Sequence, residues 1–265
     1  MTDSSPASSS TGDRVREVVR HELVRRDLTV VRVADLTAQI RRVTLAGDEL
    51  GGFVSLGPED HVKVFFPSED GERVMRDYTP AVFREVGESG GPELDLDFVV
   101  HGDTGPATAW ATAAEPGSTL SIGGPRGSRL APRGYRRFVL LADASALPAL
   151  SRWVEAVRFD AEVIAFVQSN DDRILDYPVP TGDRVAITRI ATGEAAALTA
   201  LAGLHLDADT YVWAAGEATA LIPVRRRLRR ELGLSRDRVK VDGYWKLGVG
   251  GLDHHAPLDP EDPED

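Results

Sequence analysis

Within one short stretch, Arg76-Asp77-Tyr78-Thr79-Pro80, the chain places a cation, a flat apolar ring and a hydroxyl. Along an extended strand side chains alternate faces, so Arg76 and Tyr78 point one way and Thr79 points across. The arginine can neutralise a phosphate and the tyrosine can lie against an aromatic ring system. The Thr79 hydroxyl or backbone can reach a ring nitrogen or carbonyl beside it. That set suits a flavin nucleotide. It also describes an ordinary half-buried strand with one exposed arginine, so the reading depends on what surrounds the motif.

A second stretch offers a place for phosphates. In Gly102-Asp103-Thr104-Gly105-Pro106-Ala107-Thr108-Ala109-Trp110 a glycine turn leads into an Ala-rich helix with Pro106 at its first position. Free N–H groups and the positive end of the dipole face the ligand there, and Gly105 and Ala107 are small enough for close approach. A plain capped helix fits these residues equally well. His101, at the end of the preceding strand, reads as a cofactor-positioning side chain, and His61 as a structural one. Six histidines are scattered along the chain, only His254 and His255 are adjacent, and no metal-ligand spacing occurs.

These residues need elements to carry them. Short runs at 28–33, 40–45, 61–66, 75–79, 94–100 and 119–122 read as six strands of a small antiparallel barrel, with turn clusters between several of them. In Leu94-Asp95-Leu96-Asp97-Phe98 strict alternation puts the leucines and Phe98 inside and the aspartates outside. Composition turns Gly-, Pro- and Arg-rich near 125–134, and beyond it the pattern changes. Strands at 137–142, 161–168, 184–190, 211–215 and 239–244 alternate with helices from Leu147, near 194–201 and at 219–232, which predicts a parallel sheet with covered faces. Ligands of such sheets sit at the carboxyl ends of strands. Two turns fall there: Asp143-Ala144-Ser145-Ala146-Leu147-Pro148 and Gly216-Glu217. Neither is a G-x-G-x-x-G fingerprint, and plain strand-to-helix turns fit both.

Composition bounds the function. A net charge of −11 argues against nucleic acid or an anionic membrane as the main partner. The chain has no cysteine, which removes disulfides, thiolate zinc sites and cysteine-ligated iron–sulfur clusters, so redox chemistry requires an added organic cofactor. No apolar run approaches the roughly 20 residues of a membrane span, and a cytoplasmic protein is expected. The helix with Arg225, Arg226, Arg227, Arg229 and Arg230 reads as a solvated basic face. Of 31 basic residues only Lys63, Lys240 and Lys246 are lysine.

Taken together the chain resembles the siderophore-interacting proteins, the ferric-siderophore reductases of the ferredoxin-reductase superfamily. The resemblance runs from about Val24 to Gly248. It rests on Asp60-His61-Val62-Lys63 with Phe65-Phe66-Pro67, on Arg76-x-Tyr78-Thr79-Pro80, and on Asp97-Phe98-Val99-Val100-His101-Gly102 with Gly105-Pro106-Ala107. It continues in Ala146-Leu147-Pro148-Ala149, Trp213-Ala214-Ala215-Gly216-Glu217 and Gly243-Tyr244-Trp245-Lys246-x-Gly248. Two positions depart from the family pattern: Ala81 stands where an arginine is common, with Arg84 three residues later, and Ala144 stands where a glutamate is common.

Composition gives a Ser/Pro/Thr/Gly-rich disordered tail within 1–22 and an acidic, proline-rich disordered tail at 251–265, and the resemblance implies an FAD-binding β-barrel at 23–132 and an NAD(P)H-binding α/β domain at 133–250. It implies that Arg76, Asp77, Tyr78 and Thr79 hold FAD, with His101, Gly105, Pro106, Ala107 and Thr108 at its phosphates. NADH or NADPH would dock against Asp143, Ser145, Ala146, Leu147, Gly216, Glu217 and Trp245. A ferric siderophore would meet Lys63 and Lys246. No acid–base residue is required, since the reaction is electron transfer. Ferredoxin is an alternative donor. The competing readings are a flavin reductase serving a protein or free-flavin acceptor, and a non-catalytic siderophore-binding protein.

Overall fold

The computed structural model describes residues 14–66, 74–100, 105–252 and 256–263. In the first half β1 (Val18–Arg20) precedes β2 (Arg25–Asp35), β3 (Ile40–Ala46), β4 (Val62–Phe66), β5 (Val74–Tyr78), β6 (Pro80–Arg84) and β7 (Glu93–Val99). Helix α1 (Pro106–Ala113), β8 (Thr119–Gly123) and β9 (Gly127–Arg129) follow. Seven strands form one antiparallel sheet in the order β5-β4-β8-β2-β3-β7-β6. Its two edge strands are consecutive in the chain with only Thr79 between them, so the sheet curls until its edges come together at that residue. Leu28, Val43, Leu45, Val64, Leu96 and Ile122 fill the interior. The expected barrel therefore has seven strands, not six. The extra one, β6, opens on Pro80, a residue tolerated at the first position of an edge strand.

Alternation in β7 is only half as expected. Leu94, Leu96 and Phe98 are buried in the barrel, but Asp95 on the opposite face is 2 % exposed and Asp97 is buried too. Arg84 donates to Asp95 at 2.9 and 2.8 Å, and Arg42 grips Asp97 at 2.7 and 2.8 Å. The Tyr177 hydroxyl, from the second domain, donates to Asp97 at 2.6 Å. The outer face of β7 is thus roofed by guanidinium groups and by the neighbouring domain, and a strand with carboxylates on one face need not be solvated there.

The second half contains β10 (Arg137–Ala142), α2 (Leu147–Val157), β11 (Glu162–Gln168), β12 (Val185–Ile190), α3 (Glu194–Ala202), β13 (Thr210–Glu217), α4 (Ala218–Arg226) and β14 (Val239–Trp245). All five strands are parallel, in the order β12-β11-β10-β13-β14. The chain builds outward from β10 in one direction, then returns to add β13 and β14 on its other side. That reversal leaves a crevice at the carboxyl ends of β10 and β13, the usual ligand position in such sheets. One face of the sheet packs on α2 through Phe138, Trp153, Tyr211 and Trp213, and the other on α3 and α4 through Val139, Leu201, Val212 and Leu221.

Of the tails expected to be disordered at 1–22 and 251–265, the described residues 14–22 and 256–263 make defined contacts. From residue 14 the N-terminal segment is built in: β1 pairs with β9, and Arg16 donates to the carbonyls of Leu130 and Arg129 at 2.8 Å each while pairing with Glu59. Residues 256–263 lie along the arginine-rich helix. Asp259 takes two bonds from Arg226 at 2.6 and 2.9 Å, and Asp262 pairs with Arg225 at 2.9 Å and with Arg230. Arg225 is only 2 % exposed, so this helix is not the solvated basic face its composition suggests. Each segment alone reads as a surface charge run, and their pairing is visible only in three dimensions. His254 and His255 lie outside the described residues.

Hydrogen bonds from Arg230 and Arg225 hold the Asp262 carboxyl far below the usual carboxylate range. A group depressed in the folded state adds stability in full above its unfolded pKa, about 3.9, and loses it as pH falls below that value. The variant Asp262→Asn should therefore melt a few degrees lower than the wild type. The difference should stay constant from pH 8 to pH 5 and shrink below pH 4, as read by calorimetric Tm.

Candidate functional site

Strand β5 presents its residues as the sequence pattern requires: Arg76 and Tyr78 are partly buried, whereas Met75 and Asp77 are exposed. The Tyr78 ring lies 4.5 Å from Phe98 and 6.0 Å from Phe66, and Trp110 of α1 lies 5.5 and 5.9 Å from the same two rings. One aromatic pair therefore carries both the Arg76–Tyr78 strand and α1, and brings them to one end of the barrel. At the helix N-terminus Gly105 and Pro106 are exposed, and a Cβ built at Gly105 would meet nothing within 4 Å. Among the described residues nothing crowds Gly105, and the aromatic pair holds α1 near the strand that carries Arg76 and Tyr78. His101 lies outside the described residues.

Thr79 is buried at the seam between domains, close to the Tyr244 hydroxyl of β14. Arg152 of α2 reaches across the same seam. It donates to Pro80 O at 2.6 Å, Ser55 Oγ at 2.8 Å, Ser55 O at 3.0 Å and Gly57 O at 2.6 Å, with Asp60 at 3.9 Å. Asp60 in turn orders that turn by accepting from Ser55, Gly57 and Ser128 at 3.0, 3.0 and 2.5 Å. The carbonyl of Pro80, the residue after Thr79, is thus pinned by a helix of the other domain.

Across the seam, the expected nucleotide residues converge. Register pairs Ala142 with Ala215 and Gly216 with Gly243, so Asp143, Gly216 and Trp245 stand at the carboxyl ends of three adjacent strands. Asp143 accepts from Ser145 N at 2.9 Å, Ser145 Oγ at 2.6 Å and Trp245 Nε1 at 2.7 Å. Burial pushes the Asp143 carboxyl up, against these donors. Gly216 has a φ of +151°, and a Cβ there would stand 2.6 Å from Asp143 Oδ2, so only glycine fits beside the carboxylate. Ala146 and Leu147 are buried at the start of α2. Glu217 caps α4 by accepting from Ala220 N at 2.7 Å and also takes Leu247 N at 3.2 Å. Asp143 and Glu217 therefore position their surroundings, with their acceptor oxygens already engaged.

Residues 135–248 match the family described as "Siderophore-interacting protein", and residues 29–74 and 68–129 match the "Siderophore-interacting FAD-binding domain". The chain belongs to the siderophore-interacting protein family. The "NADPH-dependent ferric-chelate reductase" of Escherichia coli K12 is 35 % identical over 254 residues, 88 % of this chain and 97 % of that protein. The "Ferric vibriobactin reductase ViuB" of Vibrio cholerae is 30 % identical over 86 % of this chain and 92 % of its own length. Among solved structures, a siderophore utilization protein from T. fusca superposes with a TM-score of 0.81 at 38 % identity, covering 91 % of this chain and 100 % of that one.

Within this family fold the two lysines read as substrate contacts differ. Lys63 donates to Asp77 at 2.7 Å, so its charge is compensated on the barrel surface, as is that of Lys240 by Asp242 at 2.6 Å. Lys246 is exposed, and no ion pair to it is found among the described residues. Arg76 donates to Met75 O at 2.7 Å and to Gly250 O at 2.9 Å. Arg84 is committed to Asp95 and Glu93, so it does not replace the arginine absent at Ala81. Sequence reasoning missed Arg152, whose acceptors are mostly backbone carbonyls and leave no residue-type signal. It also missed the role of Tyr244, although the residue lies inside a quoted motif.

Replacing Arg152 by Ala strands the acceptors on Pro80, Ser55 and Gly57 and leaves Asp60 without its cation. The expected loss is about 3 kcal/mol in urea unfolding. Arg152→Lys should recover little of it, because an ammonium lacks the planar fork that reaches four acceptors. A loss below about 1 kcal/mol in the alanine variant would dismiss the clamp.

Proposed function

We infer that this protein is a flavin-dependent ferric-siderophore reductase, using NAD(P)H to reduce chelated Fe(III) and release Fe(II) in the cytoplasm. The observation that carries this reading is convergence. Arg76, Tyr78, Thr79 and the α1 N-terminus gather at one end of the barrel, and Asp143, Gly216 and Trp245 gather at the crevice of the parallel sheet, with Thr79 and Tyr244 joining the two groups. Among the described residues no helix is long and apolar enough to cross a membrane.

In this reading Arg76 and the N–H groups of Ala107 and Thr108 take the FAD phosphates, with Asp77 and Pro106 shaping the approach and Tyr78 lying against its rings. Thr79 reaches the ring edge from beside Tyr244, with the next residue, Pro80, held by Arg152. The crevice around Asp143, Ser145, Ala146, Leu147, Gly216, Glu217 and Trp245 takes the nicotinamide nucleotide, and the name of the Escherichia coli relative favours NADPH. A bound flavin supplies the conversion of a two-electron hydride into single electrons that Fe(III) can accept. Iron(III) is held tightly by hard oxygen chelators and iron(II) less so, so reduction frees the metal. Lys246 offers an uncompensated cation to an anionic chelate at the edge of this site. Lys63, paired with Asp77, contributes its charge only if that pair opens.

The purified protein should show a flavin absorption spectrum that bleaches anaerobically with NADPH and returns on adding a ferric siderophore. No flavin, even after reconstitution with FAD, would overturn the reading in favour of a non-catalytic siderophore-binding protein. Bleaching by reduced ferredoxin but not by NADPH or NADH would transfer the donor role to the protein. Lys246→Ala should raise KM for a ferric siderophore about five-fold, near 1 kcal/mol, and affect a small neutral dye far less. Equal losses on both acceptors would remove Lys246 from substrate binding.

A further inference from the structure

The chain beyond β14 makes a tight turn: Val249 N donates to Lys246 O at 3.0 Å, with Gly248 at a φ of +76°. This turn is pinned on several sides. Trp245 Nε1 is held by Asp143 at 2.7 Å, Leu247 N by Glu217 at 3.2 Å, and Gly250 O receives Arg76 at 2.9 Å. Gly251 beside this contact has a φ of +121°, which favours glycine, and a Cβ there would stand 3.2 Å from the Arg76 guanidinium. The anchors reach both domains, one through β5 and two through the crevice of the parallel sheet.

A backbone fixed in this way could have turned its apolar side chains inward. Instead Leu247 is 77 % exposed, Val249 46 % and Trp245 41 %. Between them stands Lys246, without an ion pair among the described residues, although Lys63 and Lys240 are both paired. An uncompensated cation flanked by exposed apolar side chains, on a rigid support at the edge of a redox site, matches a particular ligand chemistry. The complement is anionic at its centre and apolar at its rim. Iron(III) bound by three oxygen chelating arms has that form when the arms carry apolar or aromatic substituents: excess negative charge surrounds the metal and the substituents lie outside.

We propose that the Lys246–Val249 turn is the acceptor-selecting element of the site, and that Leu247 and Val249 favour anionic ferric chelates with apolar or aromatic substituents over hydrophilic chelates of equal charge. The proposal rests on the reductase reading for its setting, but binding can be tested without electron transfer. Lys246 supplies attraction common to both chelate types, and Leu247 and Val249 supply the difference between them by burying apolar area.

Gallium(III) is redox-inert and takes the same oxygen ligands, so its complexes report binding alone. The FAD-reconstituted full chain would be titrated, by quenching of tryptophan fluorescence, with two trianionic probes. These are gallium tris(catecholate) and gallium tris(N-benzyl-2,3-dihydroxybenzamide). The wild type should bind the benzyl complex about ten-fold more tightly. Leu247→Ser/Val249→Ser should reduce that preference to within about two-fold, Leu247→Met/Val249→Ile should restore it, and Lys246→Ala should weaken both complexes by a similar factor. A wild type without preference, or a serine variant that keeps it while retaining the wild-type Tm, overturns the proposal. So does concentration-dependent dimerisation of the wild type that the serine variant abolishes, since the apolar turn would then face a second copy. Absence of NADPH bleaching would instead count against the reductase reading and leave these binding results interpretable.

Discussion

A guanidinium removed from water must find acceptors in a planar fan around it, and Arg152 finds its acceptors in the other domain. Its bonds to Pro80, Ser55 and Gly57 fix three points of the barrel rim relative to α2. Pro80 is the residue after Thr79, where the curled sheet brings its two edges together. Closing the barrel and docking the second domain are therefore one structural event at one place. Burial lowers the Arg152 pKa, opposed by the carboxylate of Asp60, and that carboxylate is held by Ser55, Gly57 and Ser128. The acceptors of the clamp are held by Asp60 as well as by the arginine, so little conformational freedom is left to them.

Arginine plays this linking part repeatedly. Arg42 and Tyr177 meet on Asp97 from different domains, Arg16 ties the N-terminal segment to Glu59 and to the backbone after β9, and Arg225, Arg226 and Arg230 gather the C-terminal residues. A chain with a net charge of −11 has carboxylates to spare, and planar guanidinium groups join them across distances that hydrophobic contact alone would leave open. The consequence for function is local: Lys63 and Lys240 are paired within the protein, whereas Lys246, exposed and without an ion pair among the described residues, can meet an anion from outside.

Much of this was readable from residue order because the readable parts obey local rules. The alternation in β5 sets Arg76 and Tyr78 on one face, Pro106 starts α1, and the five strands of the second domain follow from apolar runs separated by helices. The failures share a cause. Asp95 and Asp97 read as solvent-facing because alternation reports which residues share a face, not what lies over it; Arg84, Arg42 and Tyr177 come from elsewhere in the chain to cover them. The acidic C-terminal residues and the basic helix each looked like a solvated charge run, and each is the other's partner. Arg152 and the carbonyls it grips left no pattern, since backbone oxygens are present at every position.

The crevice shows how such non-local contacts shape chemistry. Asp143 and Glu217 line the crevice proposed for the nicotinamide, and carboxylates there invite an interpretation as ligand-binding groups. Their oxygens are instead occupied by Ser145, Trp245, Ala220 and Leu247. Gly216 has no side chain because Asp143 Oδ2 fills the space a Cβ would need, and that oxygen must be there to hold the indole. The acidic residues thus act on the aromatic ring and on the turn that follows it. Geometry at the crevice is set by carboxylates engaged within the protein, and the surface that remains is small residues, an indole and backbone, which could approach the planar ring of the proposed nucleotide closely without placing a free negative charge against its phosphates.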